Sequence, residues 1–159
     1  MVVESDRDDE ERRRILRSVI AANRFMTLAT ADDSGTPWAT PVWFASPDGR
    51  RFLWVSLPTT RHSRNIAARP DVAIVIYDSQ TTPADRQAVY VEATASQVAD
   101  DRIDEGMKIF AGELVSQGLD EWSRDDVTPP RRLRVYQAIA TAHFILADAN
   151  DERLSVTMA

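Results

Sequence analysis

Apolar residues recur at helical spacing in three parts of the chain. Between residues 8 and 22 they form one stripe, Ile15, Leu16, Val19 and Ile20, after acidic residues that a helix N-terminus favours. A second, short helix is predicted over residues 61–68, with Thr59 or Thr60 as its N-cap and Pro70 beyond its end. The third covers residues 100–114, with Ile103, Met107, Phe110 and Leu114 on one face.

The remaining apolar segments have the length and period of β-strands. Tight turns after the first and second strands, one ending at Gly35 and one at Gly49, predict that the first three strands form a meander. Residues 72–77 are almost continuously apolar, which is typical of a strand covered on both faces. Small residues in the next strand, Ala93, Ala95 and Ser96, suit a sharp bend. The predicted strands are residues 25–30, 37–45, 51–56, 72–77, 87–98 and 132–146, with a further hairpin through 148–151 into 154–157.

Strands at this frequency, with a few helices between them, predict a mainly β protein of the α+β class. Short turns connect most of the strands, and no internal repeat or low-complexity tract interrupts them. The pattern favours a closed or split antiparallel barrel.

The composition indicates one acidic domain without cysteine. A length of 159 residues is usual for a single domain, so residues 1–159 are expected to form one. With 19 Lys and Arg against 25 Asp and Glu, the net charge of -6 argues against nucleic-acid and anionic-membrane partners. The lack of cysteine excludes thiolate and iron–sulfur chemistry, and two histidines offer little for a metal site. We expect a cytoplasmic protein with no metal and no membrane span.

Cationic and hydroxyl side chains are most concentrated where the third predicted strand meets the second predicted helix. Arg61, His62 and Arg64 lie there, among several hydroxyl side chains. Cations at a helix N-terminus oppose the helix dipole, unless an anion lies among them and accepts hydrogen bonds from the free backbone N–H groups. A phosphate would fit. Taken alone, the pattern is equally typical of solvated residues on a short helix, and Asn65 suits a packing role as well as a ligand role.

Large aromatic side chains are concentrated in the second and third strands. They offer either a surface for a planar heteroaromatic ligand or a core of large side chains. Period-two alternation places Trp38 and Trp43 on opposite faces of one strand, so one of the two rings is expected in a pocket, an interface or solvent. The five residues concerned are Trp38, Trp43, Phe44, Phe52 and Trp54.

The sequence offers little for catalysis by side chains alone. A Ser or Thr paired with a histidine would lack both a Gly-x-Ser-x-Gly turn and a neighbouring orienting carboxylate, which disfavours a hydrolase. No Gly-x-Gly-x-x-Gly sequence or P-loop is present, which excludes a Rossmann domain and a nucleoside triphosphatase. The catalytic residues are therefore left unassigned.

Several segments together resemble one flavoprotein family. They are Leu28-Ala29-Thr30 before Asp33-Ser34-Gly35-Thr36-Pro37, then Thr40-Pro41-Val42-Trp43-Phe44, Val55-Ser56, Arg61-His62-Ser63-Arg64-Asn65-Ile66 before Arg69-Pro70-Asp71-Val72, and Arg86-Gln87-Ala88-Val89. In this order and spacing the sequence resembles the pyridoxamine 5'-phosphate oxidase-like, FMN-binding split barrels, best over residues 24–95. The resemblance implies a split antiparallel β-barrel, and it favours the phosphate interpretation of the second helix.

The resemblance also implies which residues hold the flavin. Residues 40–44 would line the ring, residues 55 and 56 would lie by the ring or ribityl chain, and residues 61–64 would anchor the phosphate. Gln87 matches a glutamine that contacts the flavin, often from the other subunit. The family often has lysine at position 62 and a basic residue at position 40, so phosphate affinity here is expected to be modest or pH-dependent. The implied cofactor-binding residues are Thr40, Pro41, Val42, Trp43, Phe44, Val55, Ser56, Arg61, His62, Ser63, Arg64 and Gln87.

The implied function is that of an FMN-dependent oxidoreductase acting on an unidentified small molecule. The flavin would supply the hydride chemistry, and a homodimer is expected to hold its cofactors at the subunit interface. The C-terminal segment that binds substrate phosphate in the oxidases has no clear counterpart between Pro129 and Ala159, so pyridoxamine phosphate is not the expected substrate. The alternatives are a reductase that uses the deazaflavin F420 on the same fold, a flavin carrier or sensor without turnover, and a structural protein without cofactor.

Overall fold

A computed structural model describes residues 2–146 and 151–158, in which seven antiparallel strands accompany three helices. Single 3-10 turns at Asp100–Arg102 and Arg124–Asp126 flank the third helix region. The helices are α1 (Val2–Ala22), α2 (Arg61–Ala68) and α3 (Ile103–Ser116). The strands are β1 (Phe25–Ala31), β2 (Pro37–Trp43), β3 (Arg51–Ser56), β4 (Asp71–Tyr77), β5 (Ala88–Gln97), β6 (Arg134–Leu146) and β7 (Leu154–Ser155).

The strands form one sheet in the order β2-β1-β4-β5-β6-β3, and β7 pairs with β6. The two edge strands come together through a single bridge between Ala45 and Leu53. The sheet therefore closes at one point and stays open beyond it, which confirms the split antiparallel barrel.

The predicted meander of the first three strands is wrong in its last pairing. β1 pairs with β2 over seven residue pairs, but β3 runs along β6 from Arg51↔Ile139 to Ser56↔Arg134. β2 ends at Trp43 rather than at Ala45, because the chain turns away there toward the opposite edge of the sheet. An alternating pattern identifies a strand but not its partner, which barrel closure decides here.

The strand covered on both faces is β3, not β4. Phe52 and Trp54 point into the barrel core, while Leu53 packs between the barrel and α3, and all three are fully buried. In β4 the burial alternates instead, and the outward residues Ala73 and Tyr77 are exposed. The apolar run of β4 therefore has one face without a cover in the single chain.

Helix α1 belongs to the barrel core. Leu16, Val19 and Ile20 of the predicted stripe are buried there, and Ile15 packs beside them. The bend predicted from small residues in β5 falls at a register shift between Glu92 and Ala93.

Some predicted strand boundaries differ from those in the structure. Gln87 lies just outside β5, and β6 begins at Arg134 rather than at Arg132. The C-terminal pairing is present as β7, but most of the turn predicted over 148–151 lies outside the described residues. Among the helices described, none is both long and apolar enough to span a membrane.

Candidate functional site

A cavity of about 590 Å³ opens at the split of the barrel. Its walls come from the two edge strands β2 and β3, from the first turn of α2, and from α3 with the chain that follows it. The cavity lies beyond the bridge that joins the edge strands, so its position follows from the incomplete closure of the sheet. Its volume is in the usual range for small-molecule and cofactor sites.

Six of the twelve predicted cofactor residues line this cavity. They come from three elements that are separate in sequence, and they combine apolar surface with two polar groups, the hydroxyl of Ser56 and the imidazole of His62. The six are Pro41, Val42, Trp43, Val55, Ser56 and His62.

The other six predicted residues do not line it. Thr40 is half-buried within β2, and Phe44 packs in the barrel core against Phe52, with ring centroids 6.0 Å apart. Ser63 and Arg64 border a different cavity, between α2 and β5. Gln87 lies near Val19 and Asp85 at the α1 side of the barrel. Arg61 is exposed beside the cavity, on the first turn of α2.

Trp38 and Trp43 lie on opposite faces of β2, and neither is among the buried residues of the barrel core. Trp43 is half-buried and meets Phe110 edge-on, with ring centroids 5.0 Å apart. Trp38 is 40% exposed, and the guanidinium carbon of Arg61 lies 4.5 Å from its ring centroid. The expectation that one ring would lie in a pocket, an interface or solvent is confirmed.

His62 is buried in a hydroxyl network at the junction of β3 and α2. Its Nε2 atom lies 2.8 Å from Oγ of Ser56 and 3.2 Å from Oγ1 of Thr60. Thr60 is the N-cap of α2, and its Oγ1 accepts a hydrogen bond from the backbone N–H of Ser63. The network therefore fixes the start of the helix to the end of the strand.

Burial lowers the pKa of His62, because the charged imidazolium would lose its solvation. The neutral form of the imidazole is therefore favoured near pH 7. Among the described contacts no carboxylate orients the ring, as a Ser–His nucleophile pair would require. His62 is thus placed to hold hydroxyl groups in position.

Arg61 is an exposed cation on the first turn of α2, next in sequence to the cavity residue His62. It lies over the face of Trp38, and the side chain of Asp32 is close enough to interact with it electrostatically. The pKa of Asp32 is held below its usual value, chiefly by hydrogen bonds from Ser34 and Thr36, with a contribution from Arg61. The N-cap Thr60 occupies the backbone N–H of Ser63, whereas those of Arg61 and His62, also in the first turn, have no acceptor within the helix. Arg61 therefore adds positive charge where an anion would find donors.

Two other polar residues of this segment have structural partners. Arg64 donates to the carbonyl oxygen of Thr59 at 2.5 Å, which ties its guanidinium to the helix entry. The side-chain amide of Asn65, which is buried, donates to Oγ1 of Thr30 at 3.0 Å and so fixes α2 to β1. The packing role of Asn65 is the one that the structure supports.

Sequence reasoning missed the opposite wall of the cavity. Phe110 and Leu114 belong to the predicted helical stripe, but a stripe alone does not distinguish core positions from cavity positions. Of the other wall residues, Leu119, Asp120 and Trp122 follow α3 in a region without a recognisable period, and Leu133 falls in the predicted strand over residues 132–146. The six residues of this wall are Phe110, Leu114, Leu119, Asp120, Trp122 and Leu133.

Comparisons with known proteins agree with this architecture. The family model described as pyridoxamine 5'-phosphate oxidase matches residues 13–145. Pyridoxine/pyridoxamine 5'-phosphate oxidases of Burkholderia mallei and Burkholderia pseudomallei are 27% identical over 100 residues, or 63% of this chain and 44% of theirs. The matched region thus spans less than half of these relatives.

Two solved structures show the same fold at low identity. A heme-binding protein from Mycobacterium smegmatis superposes with a TM-score of 0.72 at 18% identity, covering 91% of this chain and 57% of that one. A protein from Listeria innocua described as a pyridoxamine 5'-phosphate oxidase gives a TM-score of 0.63 at 16% identity, covering 84% and 97%. At these identities the likeness supports the fold.

Proposed function

The chain belongs to the pyridoxamine 5'-phosphate oxidase family, and from that premise we propose that it is an FMN-dependent oxidoreductase acting on a small molecule. The observation that carries the proposal is the cavity at the split of the barrel, beside the exposed cation Arg61 at the start of α2. It combines apolar walls of the kind that a flavin ring needs with hydrogen-bond donors and positive charge for a phosphate.

The ring would be held by the strand side of the cavity. Pro41, Val42 and Trp43 of β2 face Val55 and Ser56 of β3 across the split. These residues exclude water from an apolar surface and place one hydroxyl group at its edge. When bound, the flavin supplies the hydride chemistry, and the protein supplies orientation and electrostatics.

The phosphate would be held at the start of α2. The Arg61 guanidinium is exposed at the first turn of α2. The backbone N–H groups of this turn form the positive end of the helix dipole and would face the same anion. Because His62 is neutral and Arg64 is bound to a carbonyl, Arg61 supplies most of the side-chain charge. We therefore expect moderate rather than very tight affinity for FMN.

A homodimer would complete the site. The outward face of β1 and β4 carries the pairs Thr27–Val75 and Ala29–Ala73, and Tyr77 at the end of β4 is 51% exposed. A second copy packed on this face would cover the apolar run of β4. Gln87 lies outside the cavity of its own chain, so a contact with flavin would have to be made to the other subunit's cofactor.

A second candidate keeps the fold and replaces FMN by F420. Extra cations next to the phosphate site would favour the longer, phosphate-linked tail of the deazaflavin. Register pairing places Arg134 of β6 directly opposite Ser56, at the edge of the cavity. Its guanidinium donates to the carbonyls of Arg131 and Leu133, so an anionic tail would have to compete with these bonds.

The deciding experiment is an absorbance spectrum of the purified protein, followed by mass spectrometry of any small molecule that heat releases. A flavin spectrum with the mass of FMN supports the proposal, and a deazaflavin mass supports the second candidate. A heme spectrum would instead indicate that the protein binds heme, like the heme-binding protein from Mycobacterium smegmatis that has the same fold. A colourless protein that binds neither added FMN nor F420 would overturn both.

Turnover separates an enzyme from a carrier. Reduction of the bound flavin by NADH or NADPH, followed by reoxidation with an added acceptor over many cycles, is expected of an oxidoreductase. A flavin that binds but is not reduced catalytically would leave a carrier or sensor as the better description.

A further inference from the structure

The two halves of the cavity differ in chemistry. The half formed by α3 and the chain after it, which we call the α3 wall, consists of Phe110, Leu114, Leu119, Asp120, Trp122 and Leu133. Five of these side chains are apolar or aromatic, and the sixth is a carboxylate. Within the described part of the chain, the residues that line the cavity include no lysine or arginine. An anionic group packed on these six side chains would meet the Asp120 carboxylate and no cationic side chain among them.

Two rings of the α3 wall, Phe110 and Trp122, pack against each other, and Phe110 also packs against Trp43 on the strand side of the cavity. Phe110 lies between Trp43, at 5.0 Å between ring centroids, and Trp122, at 6.3 Å. Trp43 and Trp122 are only partly buried, so ring surface stays open toward the cavity. Rings held in place in this way lose little freedom when a flat ligand packs on them, and they bind it by shape and apolar contact.

Leu119 and Asp120 form the outer part of the wall. Leu119 is 48% exposed although it faces a cavity, and a ligand that covered it would remove apolar surface from water. The adjacent Asp120 is exposed, so solvent screens its charge, and its effect is to favour one sign of ligand charge over the other.

Arginines flank the wall in sequence without entering it. Arg132 and Arg134 stand on either side of Leu133, but neither lines the cavity. The guanidinium of Arg134 is directed to the carbonyls of Arg131 and Leu133, at 2.7 and 2.6 Å. Arg61 also lies outside the residues that line the cavity.

We propose that the α3 wall is the substrate site and that it takes a flat aromatic molecule, neutral or cationic, that carries no phosphate or other anionic group. The inference rests on the proposed function, in which the strand side of the cavity holds the flavin and leaves the α3 wall for the substrate. A phosphorylated substrate is not proposed, because the side chains of the α3 wall are apolar or negatively charged.

Three ligands with one ring system test the inference. 1-Naphthol is neutral, 1-naphthylmethylamine is a cation at neutral pH, and 1-naphthyl phosphate is an anion. Isothermal titration calorimetry of the FMN-loaded protein should show binding of the first two, with the phosphate at least about tenfold weaker than naphthol. Equal affinity for naphthol and its phosphate would overturn the inference, as would no binding of naphthol or the amine.

Two pairs of exposed positions supply matched variants. Leu119→Ala should weaken naphthol binding about five- to tenfold, whereas Val115→Ala, which changes a similarly exposed apolar residue of α3 outside the cavity, should leave it unchanged. Asp120→Asn should weaken only the amine, roughly two- to fivefold, and Asp125→Asn should weaken nothing. Because these positions are exposed, the fold should persist, and equal effects within either pair would contradict the assignment.

The test separates this inference from the proposed function. FMN binding is measured first, by titration of flavin fluorescence, and the naphthalene series is then titrated into both FMN-loaded and cofactor-free protein. Failure to bind FMN would overturn the proposed function while the ligand series still tests the wall. FMN binding together with indifference to ligand charge would overturn only the inference.

Discussion

The Oγ atom of Ser56 lies 2.8 Å from Nε2 of His62, at the buried junction between β3 and α2. The strand and the helix that border the cavity are therefore joined by a neutral, hydrogen-bonded imidazole that is only 7% exposed. An imidazole in this position fixes the first turn of α2, and with it Arg61, relative to the strand side of the cavity. In the proposed phosphate site, His62 would therefore act by positioning Arg61.

The burial of His62 predicts a pH-dependent stability. Burial lowers the pKa of the folded-state imidazole below its ordinary value of 6.5, so the unfolded chain binds the proton more readily. The free energy of unfolding should therefore be fully retained above that value and fall as the pH drops below it. His62→Gln should flatten this part of the curve and cost about 0.5–1.5 kcal/mol at higher pH through the altered hydrogen bond.

Urea unfolding of both proteins, from about pH 8 down to about pH 5.5, measures the difference. Parallel curves for the wild type and His62→Gln would show that the imidazole titrates alike in the folded and unfolded chains.

Arg61 should account for much of the binding energy of the phosphate. Arg61→Ala is expected to weaken FMN binding by about 1.5–3 kcal/mol, the contribution of one charge-assisted hydrogen bond. Stability should barely change, because the side chain is exposed. Arg50→Ala, an exposed arginine in the turn before β3, is the matched control and should leave FMN affinity intact. Unchanged affinity in Arg61→Ala would remove the phosphate from this end of α2.

Trp38 should act on the cofactor through Arg61. The ring faces the guanidinium at 4.5 Å, and such a contact at an exposed site contributes about 0.5–1 kcal/mol. Trp38→Ala is therefore expected to weaken FMN binding by no more than that amount. In a double-mutant cycle, Trp38→Ala should add no further loss once Arg61 is already alanine. Additive losses would mean that the indole touches the ligand directly.

Much of the fold is readable from the sequence because local patterns specify it. The stripe on α1, the turns before β2 and β3, and the N-cap at Thr60 each depend on residues close together in the chain. The pairing of β3 with β6 depends on residues about eighty positions apart, and no local pattern reports it. The prediction that β4 is covered on both faces is wrong, because apolar character alone does not show whether the same chain covers the second face.

The candidate site could likewise be predicted only in part. Its strand side was predictable because Pro41, Val42, Trp43, Val55 and Ser56 lie in two strands that the family resemblance identifies. The α3 wall was not, because Leu119, Asp120 and Trp122 are in an irregular segment that the fold brings to the cavity. The neutrality of His62 was equally inaccessible, since it results from burial and not from residue type.

Two glycines with the same backbone conformation should differ in their tolerance of substitution. Gly35 and Gly49 have φ values of 87° and 69°, a region that strains any L side chain. A Cβ at Gly35 would meet nothing within 4 Å, whereas one at Gly49 would lie 3.2 Å from Ile20 and 3.3 Å from Leu16 in the core. His143 holds the Gly49 carbonyl at 2.6 Å, so the turn is not free to move away.

Gly35→Ala should therefore cost about 1–2 kcal/mol of stability from backbone strain alone. Gly49→Ala should cost about 1–3 kcal/mol more, because it also overpacks the contact with α1. Denaturant unfolding of the two variants gives the difference directly, and equal losses would show that Leu16 and Ile20 adjust without penalty.

The outward face of β4 should decide the oligomeric state. If a second copy covers this face, a charge at Val75 would be buried without a partner, and the dimer should dissociate. We expect Val75→Lys to sediment as a monomer and to bind FMN more weakly, because the cofactor site is proposed to be completed at the interface. Val115→Lys, which places the same charge on an exposed position of α3, should remain dimeric. Sedimentation velocity of the wild type and both variants checks this, and a wild type that sediments as a monomer at micromolar concentration would contradict the proposed assembly outright.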